Sequence, residues 1–310
     1  STRKESSAAS DVYKRQPTYN RAYTLRRLYE SLRKQTQYDF EWLIVDDGST
    51  DNTESLVQEF IRENSLFNIR YVKKENEGKH IAINVGAKIA MGKLFFIVDS
   101  DDALSTNAIE AIEKTEKKIA GMDGFAGVVG LKGNFKGFPI KSPGEQYSQS
   151  ELENLMGTYI DATSLEYRYK YKIQGDRAEV VYTEIIKNVP FPQIKGEKFM
   201  EESYLWTSLS KMGLKFRWFN QVIYLCEYLQ DGLTNNMREI VKKNWKTHCF
   251  CANFDLTAMD IPLKIRAKEC VRYYRYGLYG GEKLKKLWIE CNDKFLSVPA
   301  ILVAVARRLK

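Results

Sequence analysis

The sequence alternates between short apolar runs and segments with helical spacing, and this alternation constrains the fold more than any other feature. The runs in "EWLIVDDGS" and "KLFFIVDSDD" are typical of buried strands, and each ends in aspartates. Around them, apolar residues recur every three or four positions, beginning with Leu25, Leu28 and Leu32. This β-α-β-α-β order predicts an open, largely parallel sheet with helices on both faces.

Two groups of aspartates directly follow these apolar runs. Asp46 and Asp47 end the first run, and Asp99, Asp101 and Asp102 end the second. Because ligands bind at the carboxyl ends of strands in such sheets, we expect both groups to face one crevice. Neighbouring carboxylates repel one another, so the second group predicts a bound cation.

The composition is that of a globular protein in a reducing compartment. Of the 310 residues, 44% are hydrophobic and 28% are charged, and the formal net charge is +8. The five cysteines are an odd number without paired spacing, which favours the cytoplasm over a disulfide framework. The C-terminal apolar run "VPAILVAVA" is too short to span a bilayer. No module with interleaved base-stacking residues is present, so we expect no nucleic-acid partner.

Three regions are predicted along the chain. The segment "SSAASDVYKRQ" (6–16) resembles, letter for letter, a translated transposase sequencing adapter, so residues 1–16 are interpreted as a non-native scar. Residues 17–235 form the predicted α/β domain, whose first strand is expected to be missing, with Val12 and Tyr13 filling its position. Residues 236–310 are predicted to form a helical, basic C-terminal extension.

Four stretches together resemble family 2 glycosyltransferases of the bacterial polysaccharide type, which have the GT-A fold. They are "PTYNR", "WLIVDDGSTDNT", "NEGKHIAINVGAKIAMGKLFFIVDSDD" and, more loosely, "GEKFMEESYLW". The resemblance implies a Rossmann-like, mostly parallel sheet. It also implies an inverting, metal-dependent transfer of a sugar from a UDP-sugar to a glycan or lipid-linked acceptor in surface polysaccharide synthesis.

The resemblance also assigns the donor side of the site. Tyr19 would stack on the nucleotide base, and Asp47 would accept the uracil ring N–H. Lys79 would reach the diphosphate, although a solvated lysine is an equally good interpretation. The predicted nucleotide-sugar contacts are Pro17, Tyr19, Asp47, Lys79, Asp99 and Ser100.

The aspartates after the second apolar run resemble the family's D-x-D motif. Asp101, with Asp99, would ligate Mg²⁺ or Mn²⁺, which neutralises charge on the departing diphosphate. The alternative is that these acids cap the next helix, a role that suits Asp102.

The acidic pair in "FMEESYLW" resembles the family's acceptor-side carboxylates. Glu202 is the predicted general base and Glu201 its orienting neighbour, and the alternative is a solvated helix face. Trp206 is either a platform for a sugar ring or a core residue. Further weak candidates for contacts with the donor sugar or the acceptor are Asp176, Arg177, Trp206 and Asp231.

The basic C-terminal portion has two interpretations, a peripheral membrane contact near lipid-linked acceptors or a solvated helical face. The expected location is the cytoplasm, at the inner face of the membrane. Two other functions stay open. A nucleotidyltransferase would need a glycine-rich basic loop after the first strand, and "PTYNR" is not one. A non-catalytic nucleotide-binding or scaffold protein could keep the pocket without turnover.

Overall fold

The computed structural model describes residues 12–142, 145–147, 151, 159–173, 175–227 and 237–308, and the statements below concern these residues. Their strands form one nine-stranded sheet and one two-stranded hairpin. The strands are β1 Val12–Thr18, β2 Phe40–Asp46, β3 Asn68–Lys73, β4 Leu94–Ile97, β5 Ala103–Leu104, β6 Phe125–Gly133, β7 Ile140–Ser142, β8 Glu145–Gln146, β9 Tyr159–Ala162, β10 Arg177–Tyr182 and β11 Lys215–Leu225.

The helices of the described residues fall into two groups, one packed on the sheet and one at the C-terminal end. The first group is α1 Ala22–Arg33, α2 Thr53–Glu63, α3 Lys79–Ile89, α4 Ala108–Glu116, α5 Thr183–Lys187 and α6 Ser203–Lys211. The second group is α7 Met237–Lys243, α8 Trp245–Asp255, α9 Leu263–Tyr279, α10 Leu284–Glu290 and α11 Lys294–Arg308.

The main sheet has the order β3-β2-β1-β4-β10-β6-β11-β5, and β9 pairs with β11. The first four strands are parallel, as predicted. Beyond them the sheet is mixed, because β10 runs antiparallel to both β4 and β6. The residues around Val12 do occupy the central position beside β2 and β4. The interpretation of residues 1–16 as foreign stays a prediction.

Helices cover both faces of the sheet, since successive residues of a strand point to opposite sides. Phe96 packs in a core with α1, α2 and α4, whereas its neighbour Phe95 packs in a core with α3, α5 and α6. The predicted α/β architecture with helices on both faces is therefore confirmed. The parallel strands end at one edge, which places the aspartates after β2 and β4 together.

The C-terminal helices have their own apolar core, in which α9 packs against α8, α10 and α11. This agrees with the predicted helical extension, while the boundary at residue 235 stays a prediction. The core includes Cys249, Cys270 and Cys291, and all five cysteines are free thiols. None of the described helices has the length and hydropathy that a bilayer-crossing segment requires.

One stretch differs in conformation from what its sequence pattern suggests. The alternating tyrosines of "EYRYKYKI" suggest a strand, but Glu166–Lys170 forms a π-helical turn. Tyr167 is buried there and stacks on Trp218, with ring centroids 3.7 Å apart. Packing of one aromatic ring decides the local conformation, which the alternation alone cannot reveal.

Candidate active site

The turn after β2 holds two buried aspartates that serve different partners. Asp46 accepts hydrogen bonds from the Ser49 backbone N–H at 2.7 Å and from the Tyr71 hydroxyl at 2.6 Å. Burial, together with this pairing with Asp46, raises the pKa of the Tyr71 hydroxyl. Gly48, at φ 84°, allows the sharp turn between strand and loop. Asp46 therefore shapes the turn.

Asp47 is directed toward the loop that precedes α3. Its carboxylate accepts hydrogen bonds from Lys74 Nζ at 2.8 Å and from the backbone N–H groups of Glu77 at 3.0 Å and Gly78 at 2.7 Å. Asp47 is only 3% exposed. Because a buried carboxylate needs hydrogen-bond partners, Asp47 satisfies the loop's own donors here, and its contact with a uracil ring stays a prediction. Asp47 holds the loop that leads to Lys79.

The three aspartates after β4 also have different surroundings. Asp102 is buried and accepts a hydrogen bond from the Tyr224 hydroxyl at 2.6 Å. The same hydroxyl oxygen accepts the Asp99 backbone N–H at 2.9 Å. Burial and the charge of Asp99 raise the pKa of Asp102 to about 7. Asp102 thus anchors the turn to β11, in line with a structural role.

Asp101 is the aspartate that best fits a metal ion. No other side chain in the described part of the chain hydrogen bonds its carboxylate, and burial together with the Asp99 charge raises its pKa. Its carbonyl oxygen accepts a hydrogen bond from Arg27 of α1, which also pairs with Glu227. Mg²⁺ and Mn²⁺ take few protein carboxylates and complete their shell with phosphate and water oxygens. One unpaired carboxylate at this edge fits such an ion.

The described residues contain no preformed protein cage for a metal. Within the described ranges, no group of three or more His, Cys, Asp or Glu side chains is arranged to hold an ion. This is compatible with an ion held mainly by phosphate oxygens, which leaves most ligands to the substrate.

Lys79 joins the predicted donor side to the predicted acceptor side. As the first residue of α3, it places Nζ 2.6 Å from Asp99 Oδ1 and 2.7 Å from Glu202 Oε1. The three side chains remain 27–36% exposed, so a ligand can reach them. Burial would lower the pKa of Lys79, but these two carboxylates raise it, and Lys79 in turn lowers the pKa of Asp99. The expectation of one shared crevice is supported for these residues.

The acidic pair separates into two directions. Glu202 faces Lys79, whereas Glu201 Oε1 lies 2.5 Å from His248 Nδ1 of α8 and 2.7 Å from Arg272 Nη2 of α9. Burial disfavours the charged form of Glu201, but the bond to His248 and the charge of Arg272 prevail and lower its pKa. Glu201 therefore contacts the C-terminal helices, and its role as the orienting neighbour of Glu202 stays a prediction.

The other predicted residues occupy varied positions. Tyr19 is 48% exposed after β1, whereas Pro17 and Ser100 are buried. Trp206 packs edge-on against Phe216 in the core, so its interpretation as a core residue fits better than a sugar platform.

The weaker candidates also differ. Asp176 is exposed, and Arg177 is buried with its guanidinium 3.2 Å from the Tyr167 hydroxyl. The predicted contacts of Asp176 and Arg177 with the donor sugar or the acceptor stay predictions. Asp231 lies outside the described residues.

Several residues of the site were missed by sequence reasoning. Tyr224, Arg27, His248 and Arg272 reach the acidic residues from elements far away in the chain. Burial raises the pKa of Glu179 to about 7, and the nearby Glu202 charge adds to the effect although Lys132 opposes it. Nothing in their local sequence marks these residues, because each acquires its role through tertiary contacts.

A cleft of about 390 Å³ adjoins this site. It lies between the loop that Asp47 holds and residues 193–198, just ahead of the acidic pair. Lys79, Asp99, Asp101 and Glu202 thus lie together near the carboxyl ends of the parallel strands, and exposed Tyr19 follows β1 at the same edge of the sheet.

Comparison with known proteins identifies relatives of this fold and site. The family description "Glycosyl transferase family 2" matches residues 17–143. Glycosyltransferase GlyG of Streptococcus pneumoniae serotype 4 is 37% identical over 106 residues, which are 34% of this chain and 35% of GlyG. The poly(ribitol-phosphate) beta-N-acetylglucosaminyltransferase TarP of Staphylococcus aureus is 27% identical over 175 residues, 52% of this chain and 53% of TarP.

Solved structures give the same fold. S. aureus TarS 1–349 in complex with UDP-GlcNAc superposes with a TM-score of 0.58 and 20% identity, covering 96% of this chain and 80% of that one. The chain spans about half, or less, of the length of the curated relatives named above. Residues 17–143 thus match glycosyl transferase family 2, and the chain shares the GT-A fold of TarS.

Proposed function

We propose that the chain transfers a sugar from a UDP-sugar to a hydroxyl group of a glycan or lipid-linked acceptor, with inversion at the anomeric carbon. The observation that carries this proposal is the position of Lys79 Nζ, within 2.7 Å of both Asp99 and Glu202. One crevice thus joins the donor and acceptor sides. The TarS complex with UDP-GlcNAc and the activity in TarP's name support a UDP-sugar donor.

Glu202 is the general base of the proposed reaction. Its carboxylate takes the proton of the acceptor hydroxyl while that oxygen forms a bond to the anomeric carbon. The bond between this carbon and the diphosphate oxygen breaks on the opposite face, and UDP leaves with the electron pair. Attack opposite the leaving group inverts the anomeric centre. Lys79, beside the base, supplies positive charge toward the diphosphate.

The donor is held on the other side of the crevice. Tyr19 offers an exposed ring on which the base stacks. Asp101, with Asp99 beside it, would hold Mg²⁺ or Mn²⁺, and the ion would neutralise negative charge that builds up on the departing diphosphate. Asp47 contributes indirectly, because it fixes the loop that places Lys79.

We place the protein in the cytoplasm, at the inner face of the membrane, in surface polysaccharide synthesis. The five free thiols support a reducing compartment. The outward side of α11 is apolar, with Phe295 84% and Leu302 70% exposed. Exposed lysines lie at the N-cap of α10, on α10 and at the start of α11, namely Lys283, Lys285, Lys286 and Lys294. An apolar stripe flanked by cations fits an anionic membrane surface.

Calorimetric titration of UDP into the full chain tests the donor site. With Mn²⁺ present, we expect binding that weakens at least about tenfold in EDTA and in Asp101→Asn, a change of about 1.4 kcal/mol. The exposed Asp123→Asn serves as the control and should bind as the parent does. If the Kd for UDP is unchanged both in EDTA and in Asp101→Asn, the metal assignment is refuted.

Turnover tests the reaction itself. A panel of UDP-sugars is incubated with the parent and with Glu202→Gln, and released UDP is measured. The anomeric configuration of the product is read by NMR. We expect at least one donor to be consumed by the parent and about a hundredfold less by Glu202→Gln. A product with retained configuration would contradict the single-displacement mechanism.

A further inference from the structure

The loop of residues 191–202, called the base loop below, ends at the proposed general base and is fixed from two sides. On the donor side, the Asn84 amide of α3 donates to the Phe191 carbonyl and accepts its N–H, both at 2.8 Å. Gln193 Nε2 donates to Glu77 Oε1 at 2.7 Å. The loop is therefore attached to α3 and to the segment before it.

The C-terminal helices hold the other side of the base loop. The buried carboxylate of Glu197 accepts the backbone N–H groups of Lys246 at 2.9 Å and Thr247 at 2.6 Å, in the first turn of α8. Asn244 Oδ1 accepts two successive backbone N–H groups of the loop, at 2.9 and 3.1 Å. Free N–H groups at a helix start favour such a carboxylate.

Glu201 adds a charged link next to the base. Its Oε1 contacts His248 and Arg272, and Arg272 Nη1 also bonds Glu269 Oε2 at 2.7 Å. His248 is 1% exposed and stacks on Phe199, with ring centroids 5.5 Å apart. The guanidinium is fixed by two carboxylates and the imidazole by packing. Both are rigid supports for Glu201.

The link acts on Glu202 through the backbone. Successive Cα atoms lie about 3.8 Å apart, so fixing Glu201 also limits where Glu202 can point. The following helix α6 is held to α8 as well, since the ring centroids of Tyr204 and Phe254 lie 4.8 Å apart and the Thr207 hydroxyl donates to Asp255 at 3.1 Å. The base thus stands between a helix and a loop that both contact the C-terminal helices.

We propose that Arg272 and His248 are positioning residues for sugar transfer, which act through Glu201 to aim Glu202 at the crevice. The C-terminal helices are then part of the catalytic unit and set the geometry of the base. This inference rests on the proposed function of Glu202.

The first test compares kcat with donor binding in the full chain. UDP release from UDP-N-acetylglucosamine with Mn²⁺ is measured for the parent, Arg272→Met and Arg272→Lys, beside the exposed control Lys264→Met. We expect kcat to fall roughly tenfold to a hundredfold in Arg272→Met, because small displacements of a catalytic group are costly. KM and the Kd for UDP should stay within about twofold, and Arg272→Lys should recover part of the rate.

The second test needs no turnover. Hydrogen exchange of backbone amides in residues 197–204 is compared between the parent, Arg272→Met and the isosteric Glu201→Gln. We expect faster exchange there and no change in residues 74–78 for both variants. Glu201→Gln carries the test if Arg272→Met does not fold.

The outcomes distinguish a failure of the positioning role from a failure of the proposed function. Unchanged exchange in the base loop overturns the positioning role, whatever the turnover. A fall in kcat accompanied by lost UDP binding also overturns it, since it shows general damage. Raised exchange in the variants, together with a parent that consumes no UDP-sugar, refutes the proposed function and leaves the positioning of the loop supported.

Discussion

Neighbouring acidic residues in this chain have different partners and therefore different chemistry. Asp47 accepts hydrogen bonds from a loop and Asp102 accepts one from a tyrosine, while Asp101 has no side-chain hydrogen bond in the described part of the chain. Glu202 faces a lysine and Glu201 an arginine. A motif such as "DSDD" or "EES" predicts where acid groups gather. It cannot assign each carboxylate, because the partners come from distant elements.

Asp255, the last residue of α8, gives a pH-dependent prediction. Burial and the nearby Glu269 charge raise its pKa to about 7 from an ordinary value of 3.8. The folded protein holds this proton more tightly than the unfolded chain, so the contribution of Asp255 to stability is lost as the pH rises toward 7. We expect the melting temperature of Asp255→Asn to lie about 4 °C above that of the parent at pH 8 and to equal it near pH 4.

The control for this substitution is Asp260→Asn, which changes an exposed carboxylate a few residues away. Thermal melting of the three proteins across this pH range tests whether the Asp255 carboxyl group titrates in it. A constant difference between Asp255→Asn and the parent at all pH values would show that the carboxyl group does not titrate as stated.

At the scale of elements, the site depends on a close approach of two loops. Gly78, the N-cap of α3, has φ 98°, and a Cβ there would lie 1.9 Å from the Lys198 carbonyl oxygen. The loop that leads to Lys79 and the base loop can touch only because this position lacks a side chain.

Gly78→Ala should therefore separate the two loops. We expect a loss of about 1–3 kcal/mol in the free energy of unfolding and weaker UDP binding, measured by urea denaturation and calorimetry. Gly196→Ala is a matched control, because Gly196 also has a positive φ of 85° but no atom near the added Cβ. Equal losses in the two variants would show that backbone strain alone, without the contact, explains the effect.

The order of elements could be read from the sequence, whereas their contacts could not. Apolar runs and helical spacing predict β2, α2 and β4 because burial imposes those periods. The antiparallel insertion of β10 between β4 and β6 has no such local cause. The same limit applies to the site, where "VDSDD" marked the crevice but Tyr224 and Arg272 were found only in the fold.

At the scale of the whole molecule, the C-terminal helices have two different sides. The inner side of α11 is buried through Leu296, Ala300 and Ala304, while Phe295 and Leu302 face outward. A helix that is apolar on all sides needs a second surface that shields its outer side from water. In the proposed function an anionic membrane surface provides that cover.

Vesicle sedimentation of the full chain checks this membrane contact. We expect binding to vesicles with 30% phosphatidylglycerol, weaker binding to pure phosphatidylcholine, and a loss of about tenfold in Phe295→Ser/Leu302→Ser. Met91→Ser/Met122→Ser removes two exposed apolar residues elsewhere and should bind normally. The contrary outcome is that the parent binds neither kind of vesicle and is a dimer, which Phe295→Ser/Leu302→Ser converts to a monomer. The apolar stripe would then be an interface between copies of the chain.

The link between Glu201 and Arg272 spans 71 residues, and this separation bears on the order in which a nascent chain becomes active. Ribosomes add about 5–20 residues per second, so α9 follows the base loop by roughly 4 to 14 seconds. During that interval the crevice that would take the nucleotide is already synthesised, but the supports of the base are not. An unfinished chain would then bind a costly activated sugar without consuming it.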